Sequence, residues 1–267
     1  MTLASVAEGL WQALEPLLPG LSVEVLPSCV STNTTLLDRA RAGDIAPCLL
    51  VAESQTQGRG RLGRSWLSVP GASLTFSLAL PLAPADWMGL SLAIGVAVAE
   101  ALDNSGQRIA LKWPNDLWLR DAPGAGRKLG GILIETVAAQ GQRIAVIGIG
   151  INVLPQAGAG LSHGLAVLQE IDTEASVTRA LRAVALPLVG TLQRFETQGF
   201  APFVPLYAKR DLLLARAVTT TLATVPDGTA EGVNAQGALL VRSGSGALHA
   251  ITSGEVSVRL ARAGACA

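Results

Sequence analysis

Two long apolar runs separated by a very short connection constrain this chain most: Lys128–Val137 and Arg143–Val153 are joined through Ala139-Gln-Gly-Gln142. Extended segments linked so tightly pair antiparallel, because a parallel crossover needs about a dozen residues or more. An antiparallel hairpin is therefore expected. Around it, Ser22–Pro27 alternates like a strand, and Cys48–Glu53 and Ala72–Leu80 are short apolar strands. Ile109–Leu119 is extended but interrupted at Pro114, which cannot donate to a ladder. Helical patterns fall at Val6–Leu18, Thr32–Ala42, Met88–Leu102, Ser176–Glu196 and Ala201–Lys209. Ser31 or Thr32 can cap the second of these and Gly43 can end it. This mixture implies an α+β domain on a mostly antiparallel sheet. After Leu214 the pattern changes to short alternating runs divided by Asp227-Gly228, Gln236-Gly237 and Ser243-Gly-Ser-Gly246, the mark of a small all-β module. The chain is thus read as 1–212 and 213–267.

Charge narrows the function classes. Among 267 residues, 20 Lys plus Arg balance 20 Asp plus Glu, so nothing general draws the chain to nucleic acid or an anionic membrane. Any basic site must be local, and Arg59, Arg61 and Arg64 supply one. Ser65–Ala85 and Ile144–Gln169 carry no charged residue, but Pro and Gly break both, so they read as buried strands and loops rather than membrane spans. The first twenty residues lack the pattern of a secretory leader. Cys29, Cys48 and Cys266 have no metal-ligand spacing, and the odd count suits a reducing compartment, so a cytoplasmic location is expected.

The strongest motif is Gly58-Arg-Gly-Arg-Leu-Gly-Arg64. Gly58, Gly60 and Gly63 match the dinucleotide fingerprint, but a strand pattern follows where that fingerprint requires a helix, so a Rossmann unit is rejected. The loop still suits phosphate: glycine lets backbone amides approach an anion, and arginine offers a permanent charge with a fork of donors. A solvated basic turn or a nucleic-acid contact remains the alternative at this stage. Trp66 just beyond can cover a flat ring or simply pack in the core. Lys112-Trp-Pro-Asn-Asp116 places a cation, an amide and a carboxylate at a strand break. Asn115 can bond a nucleotide, and Asp116 can take Mg²⁺ or orient an amine; a polar turn is the plainer reading. Lys128, before Gly130 and Gly131, can reach a ligand carboxylate or serve as an ordinary edge lysine.

Five motifs in one order carry a resemblance: Ser31-Thr-Asn33, Gln55-x-x-Gly58-Arg-Gly-Arg61, Lys112-Trp-Pro-Asn-Asp116, Lys128-Leu-Gly-Gly-Ile132 and Gly148-Ile-Gly-Ile-Asn152-Val. The series resembles the biotin protein ligases, also called biotin–[acetyl-CoA-carboxylase] ligases. The resemblance implies a catalytic domain like that of class II aminoacyl-tRNA synthetases and a C-terminal SH3-like β-barrel, fitted by Gln236–Leu240 and Ser253–Arg259. It implies Ser31, Thr32 and Gln55 as ligands of the biotin ureido ring, with Asn33 in the same turn. Gly58, Arg59, Gly60 and Arg61 would form the loop over biotin and phosphate, with Arg64 adding charge on the nucleotide side. Lys128, beside Gly131, would meet the biotin carboxylate and the α-phosphate. Trp66, Asn115, Asn152 and Arg259 would lie toward the nucleotide. ATP with Mg²⁺ and biotin are the implied substrates and metal, a biotin carboxyl carrier protein the implied partner, and a homodimer a common family arrangement. Too few residues precede Ser31 for the winged helix that some members use to bind DNA, so a monofunctional type is expected. The turn Asp121–Arg127 is longer than expected for the family. Lipoate or octanoate ligases and nucleic-acid-binding modules are the competing readings; the polar trio Ser31, Thr32 and Gln55 favours biotin over a lipoyl chain.

Overall fold

A computed structural model of the chain describes residues 2–121, 126–156, 164–252 and 258–260. The expected hairpin is its centre. Strand β6 (Gly126–Ala139) pairs antiparallel with β7 (Gln142–Asn152), and Gln140 and Gly141 close the turn with φ of 48° and 76°. Two successive positive φ values make a type I′ turn, whose twist matches that of the strands it joins. Beyond β7 lie β3 (Ser73–Pro81), β2 (Cys48–Ala52) and β1 (Ser22–Leu26); beyond β6 lie β5 (Asp116–Arg120) and β4 (Ile109–Lys112). Only β1 and β2 run parallel, so the α+β reading with a mostly antiparallel sheet holds.

Strand alternation divides the sheet into two unlike faces. On one, Phe76, Leu78, Ile147, Ile149 and Ile151 join the main core with α1 (Leu3–Leu14), α3 (Leu90–Leu102) and α4 (Val177–Gln198). On the other, Ala79, Ile144 and Val146 meet Leu36, Leu37 and Ala40 of α2 (Thr32–Arg41) in a separate small core. That second core covers only one end of its face, and the rest stays open. The first helix starts and stops earlier than expected from the sequence: Thr2 caps it and it ends at Leu14, ahead of Pro16. Ala201–Phe203 forms a 3₁₀ turn that leads into α5 (Val204–Arg210).

The C-terminal segment forms a second sheet from β8 (Ala217–Thr220), β9 (Asp227–Val233), β10 (Leu239–Arg242), β11 (Leu248–Ile251) and β12 (Val258–Leu260), in the order β11-β10-β9-β8-β12. A closed barrel was expected. Among the described residues β11 and β12 form no ladder, so the sheet is open rather than closed; its edge strands span only four and three residues. Residues 253–257 of the expected barrel motif, 122–125 of the long turn and Cys266 lie outside the described residues. The second sheet is tied to the first through Trp113, fully buried, whose indole Nε1 donates to the Gly237 carbonyl at 3.1 Å.

Candidate active site

The open end of the α2 face is a cleft, and the repeat Gly148-Ile-Gly-Ile explains its floor. Ile149 and Ile151 point into the main core, so Gly148 and Gly150 face the cleft. A Cβ on Gly148 would collide with the Asn33 side chain, and one on Gly150 would lie 2.5 Å from Cε2 of Trp66. The absence of side chains there lets both residues rest on the sheet.

Ser31 begins the cleft. Its extended backbone and side chain cap α2, the hydroxyl accepting from the Thr34 amide at 3.5 Å. Gln55, in the loop after β2, accepts at Oε1 from the Thr32 amide at 2.7 Å and from the Thr32 hydroxyl at 3.1 Å. Ser77 on β3 lies 2.6 Å from both the Thr32 hydroxyl and Asn33 Oδ1. The one Ser77 proton serves one of these at a time; Asn33 Oδ1 only accepts, so the Ser77 and Thr32 hydroxyls are the pair that can exchange donor roles. Asn33 is committed elsewhere: its Nδ2 donates to the Leu133 carbonyl at 3.2 Å and to Glu135 Oε2 at 3.0 Å. It ties α2 to β6 and leaves ring contacts to its neighbours.

Opposite stands the cation-bearing wall. Lys128 Nζ lies 2.7 Å from Asp116 Oδ1, and Gly131 lies beside the pair, where a Cβ would touch both side chains. Asn115 is held by β6: its Nδ2 donates to the Ile132 carbonyl at 2.8 Å, and its own carbonyl accepts from the Ile132 amide. Trp113-Pro114 is cis, with the Pro114 carbonyl accepting from Ser91. Arg259, from β12, completes the lining from the second sheet. The Gly/Arg segment crosses above. Gly58 lacks room for a Cβ against the Trp66 carbonyl, and the Trp66 amide donates to the Gly58 carbonyl.

The structure thus brings Ser31, Thr32, Asn33, Gln55, Arg59, Gly60, Arg61, Arg64, Trp66, Asn115, Asp116, Lys128, Gly131 and Arg259 to one cleft. It does not bring Asn152 there. That residue is buried beside Ser73, past the point where Trp66 covers β7. Gly58 contributes steric room rather than a wall. Two contributors escaped the sequence reading, Ser77 and Glu135, while Lys112 of the Lys112–Asp116 motif does line the cleft. Ser73, Thr75 and Ser77, polar at alternate positions of an otherwise apolar strand, were the available signal for the first.

Charge is strongly segregated. Among the described residues the cleft is lined by six cationic side chains (Arg59, Arg61, Arg64, Lys112, Lys128, Arg259) and one carboxylate, Asp116. Burial holds the Lys112 ammonium below the ordinary lysine range; Asp116 opposes the shift, and Lys128, Arg259 and Arg64 add to it. Lys112 also lies 5.0 Å from the centre of the Trp118 ring. Burial likewise lowers Arg61, with Asp116 opposing and Arg64 assisting. Such a site suits a polyanion. No cluster of three or more His, Cys, Asp or Glu occurs among the described residues, so there is no all-protein metal cage. A magnesium ion commonly needs only one or two carboxylates plus substrate phosphates, and Asp116 beside the cationic wall fits that requirement.

Comparison with known proteins agrees with this geometry. The model of the "Biotin/lipoate A/B protein ligase family" matches residues 25–152, and that of the "Biotin protein ligase C terminal domain" matches residues 216–259. The bifunctional ligase/repressor BirA of Escherichia coli is 37% identical over 254 residues, covering 91% of this chain and 76% of that protein. The biotin–[acetyl-CoA-carboxylase] ligase of Paracoccus denitrificans is 30% identical over 231 residues, 81% of this chain and 92% of its own. The structure of a biotin protein ligase from Aquifex aeolicus, in complex with biotin and ATP, superposes with a TM-score of 0.74 at 29% identity, covering 90% of this chain and 99% of that one.

Proposed function

The chain belongs to the biotin protein ligase family, and from that premise we propose that it activates biotin with ATP and transfers it to a lysine of a biotin carboxyl carrier protein. The observation that carries this reading is the cleft itself: a polar turn built for a small ring at one end, a concentration of cations around one carboxylate at the other.

A carboxylate does not acylate an amine in water, because its oxygen leaves poorly. In the first step a biotin carboxylate oxygen attacks the α-phosphorus of ATP, the bond to the pyrophosphate oxygen breaks, and biotinyl-AMP forms. Ser31, Thr32 and Gln55 hold the ureido ring, which fixes how far the valeryl chain reaches. Lys128 and Arg61 place charge where it gathers on the phosphorus in flight, so stabilisation is greatest in the transition state. Magnesium, when bound with the triphosphate, neutralises phosphate charge, and Asp116 is the residue that would hold it. Trp66, resting on Gly150, offers a flat face to adenine. In the second step the carrier lysine attacks the carbonyl of the mixed anhydride, the C–O bond to AMP breaks and the amine loses a proton. Asp116 orients that amine or accepts the proton. No protein nucleophile is needed.

The Gly/Arg loop, with Leu62 at φ 55° and half exposed, shields the adenylate from water. Residues 1–212 are read as the catalytic domain and 213–267 as the module that delivers Arg259. No helix among the described residues is long and apolar enough to cross a membrane, and we place the reaction in the cytoplasm. Incubation with biotin, Mg-ATP and a carrier domain should add one biotinyl group to the carrier by intact mass. Lipoate in place of biotin should add nothing; modification by lipoate alone would transfer the assignment to the lipoate ligases.

A further inference from the structure

We propose that Glu135 is a positioning residue that latches the Gly/Arg loop, through Arg59, onto the helix turn that receives the ring; its link to biotin rests on the reading above. Glu135 lies on β6 opposite Val146, on the same sheet face as the cleft floor. Its two oxygens are divided between two segments. Oε1 accepts from Arg59 Nη2 at 2.7 Å, and Oε2 accepts from Asn33 Nδ2 at 3.0 Å. Arg59 Nη1 donates in turn to the Thr34 hydroxyl at 3.2 Å. One carboxylate therefore joins the loop, the first turn of α2 and the central hairpin.

Two consequences follow. Arg59 already has a carboxylate partner, so phosphate must compete with Glu135 for it. Furthermore, Gly58 and Gly60 flank Arg59, and glycine on both sides resists lifting of the loop very little. The ion pair is a side-chain tie that fixes this glycine-flanked segment to β6. The ring-binding turn and the covering loop then move as one unit, because both hang on Glu135.

Glu135→Gln isolates this role. The amide oxygen can still accept from Asn33, while the amide nitrogen presents a donor to Arg59, which accepts nothing. In the ligand-free full chain, hydrogen exchange at the Gly60 and Trp66 amides, which bond Arg64 and Gly58 carbonyls within the loop, should speed up roughly fivefold, as expected for losing a partly exposed charge pair. Arg59→Gln should do the same, and the double variant should add less than about twofold more. With ligand, both single variants should raise the KM for biotin more than they lower kcat, and should release biotinyl-AMP roughly fivefold faster. Should Glu135→Gln fail to fold, the exposed Arg59→Gln variant alone decides. Unchanged loop exchange, or additive effects in the double variant, overturns the latch whether or not biotin binds. Loss of the latch signature in exchange with no biotin affinity in the parent chain would instead sink the biotin reading and leave the latch standing.

Discussion

Replacing Gly150 by alanine tests whether the cleft is built by close approach of Trp66 to bare backbone. The new Cβ would sit 2.5 Å from Cε2, 2.6 Å from Cζ2 and 2.9 Å from Nε1 of the indole. Carbon atoms pack at about 3.5–4.0 Å, so one partner must retreat by roughly 1 Å. Strand β7 cannot, because it is paired on both edges, with β3 and β6. Trp66 is the partner that can retreat, since it lies in a loop rather than a paired strand and is half buried. Overpacking of a fixed core costs about 1–3 kcal/mol; here most of that should appear as displacement of the ring rather than as unfolding. The expected result is a melting temperature within a few degrees of the parent, with affinity for a non-hydrolysable biotinyl-AMP analogue weakened about tenfold, equivalent to ~1.4 kcal/mol. Calorimetry measures the affinity, and indole emission reports the ring. In a Trp66→Ala background the same alanine should be neutral. Tight analogue binding by Gly150→Ala with unchanged emission would refute the placement of Trp66.

Asp211 supplies a pH test. Burial pushes its carboxyl up from 3.8 to about 6, against amide bonds from Leu213 and Leu214 and the charge of Arg120. A raised folded-state value means the native protein holds the proton more tightly than the unfolded chain, so the stabilisation is complete below the unfolded value and is lost as pH rises through about 6. Asp211→Asn should therefore gain about 1–3 kcal/mol relative to the parent at pH 8 and little at pH 4 in urea unfolding; an equal effect at both ends would contradict this. Asp103 and Arg210 form a buried pair at 3.1 Å, with side chains 4% and 6% exposed. Asp103→Asn should cost about 3–5 kcal/mol by leaving the guanidinium without its counter-charge, and a loss under 1 kcal/mol would refute that. Lys128→Gln should slow pyrophosphate release at saturating biotin and ATP by at least about a hundredfold, and a loss of only a few-fold would remove Lys128 from the first step. Arg61→Ala should shorten adenylate retention in a filtration assay, and unchanged retention would end its covering role.

Much of the fold was legible because its signals are local. The β6–β7 hairpin needed only strand length and a Gln-Gly turn, and the Gly/Arg loop declared itself by glycine spacing together with what followed it. The rejection of a Rossmann unit also held, since β3 and no helix comes next. Helix ends were less legible: capping by Thr2 started α1 three residues earlier than its apolar pattern suggested. The closed barrel was expected from likeness, and the described strands do not close it. Asn152 shares a motif with Gly148 and Gly150, yet a sequence motif does not reveal that Trp66 will cover the face before Asn152 is reached.

The order of residues alone settled which groups could serve: glycines where a side chain would obstruct, arginines and a lysine where phosphate must be met, a capped turn with hydroxyls for a small polar ring. These are properties of single residues and short spacings, so they survive in one dimension. Only the tertiary structure decided who meets whom. A chain with no net charge collects six cations around one carboxylate because β4, β6, β12 and the loop after β2 converge at one end of a sheet face. Likewise, Glu135 looks like any half-exposed strand glutamate until folding brings Arg59, 76 residues away, and Asn33, 102 residues away, onto its two oxygens. Such pairings depend on long-range closure, whose energetics belong to the assembled sheet and not to any segment of it.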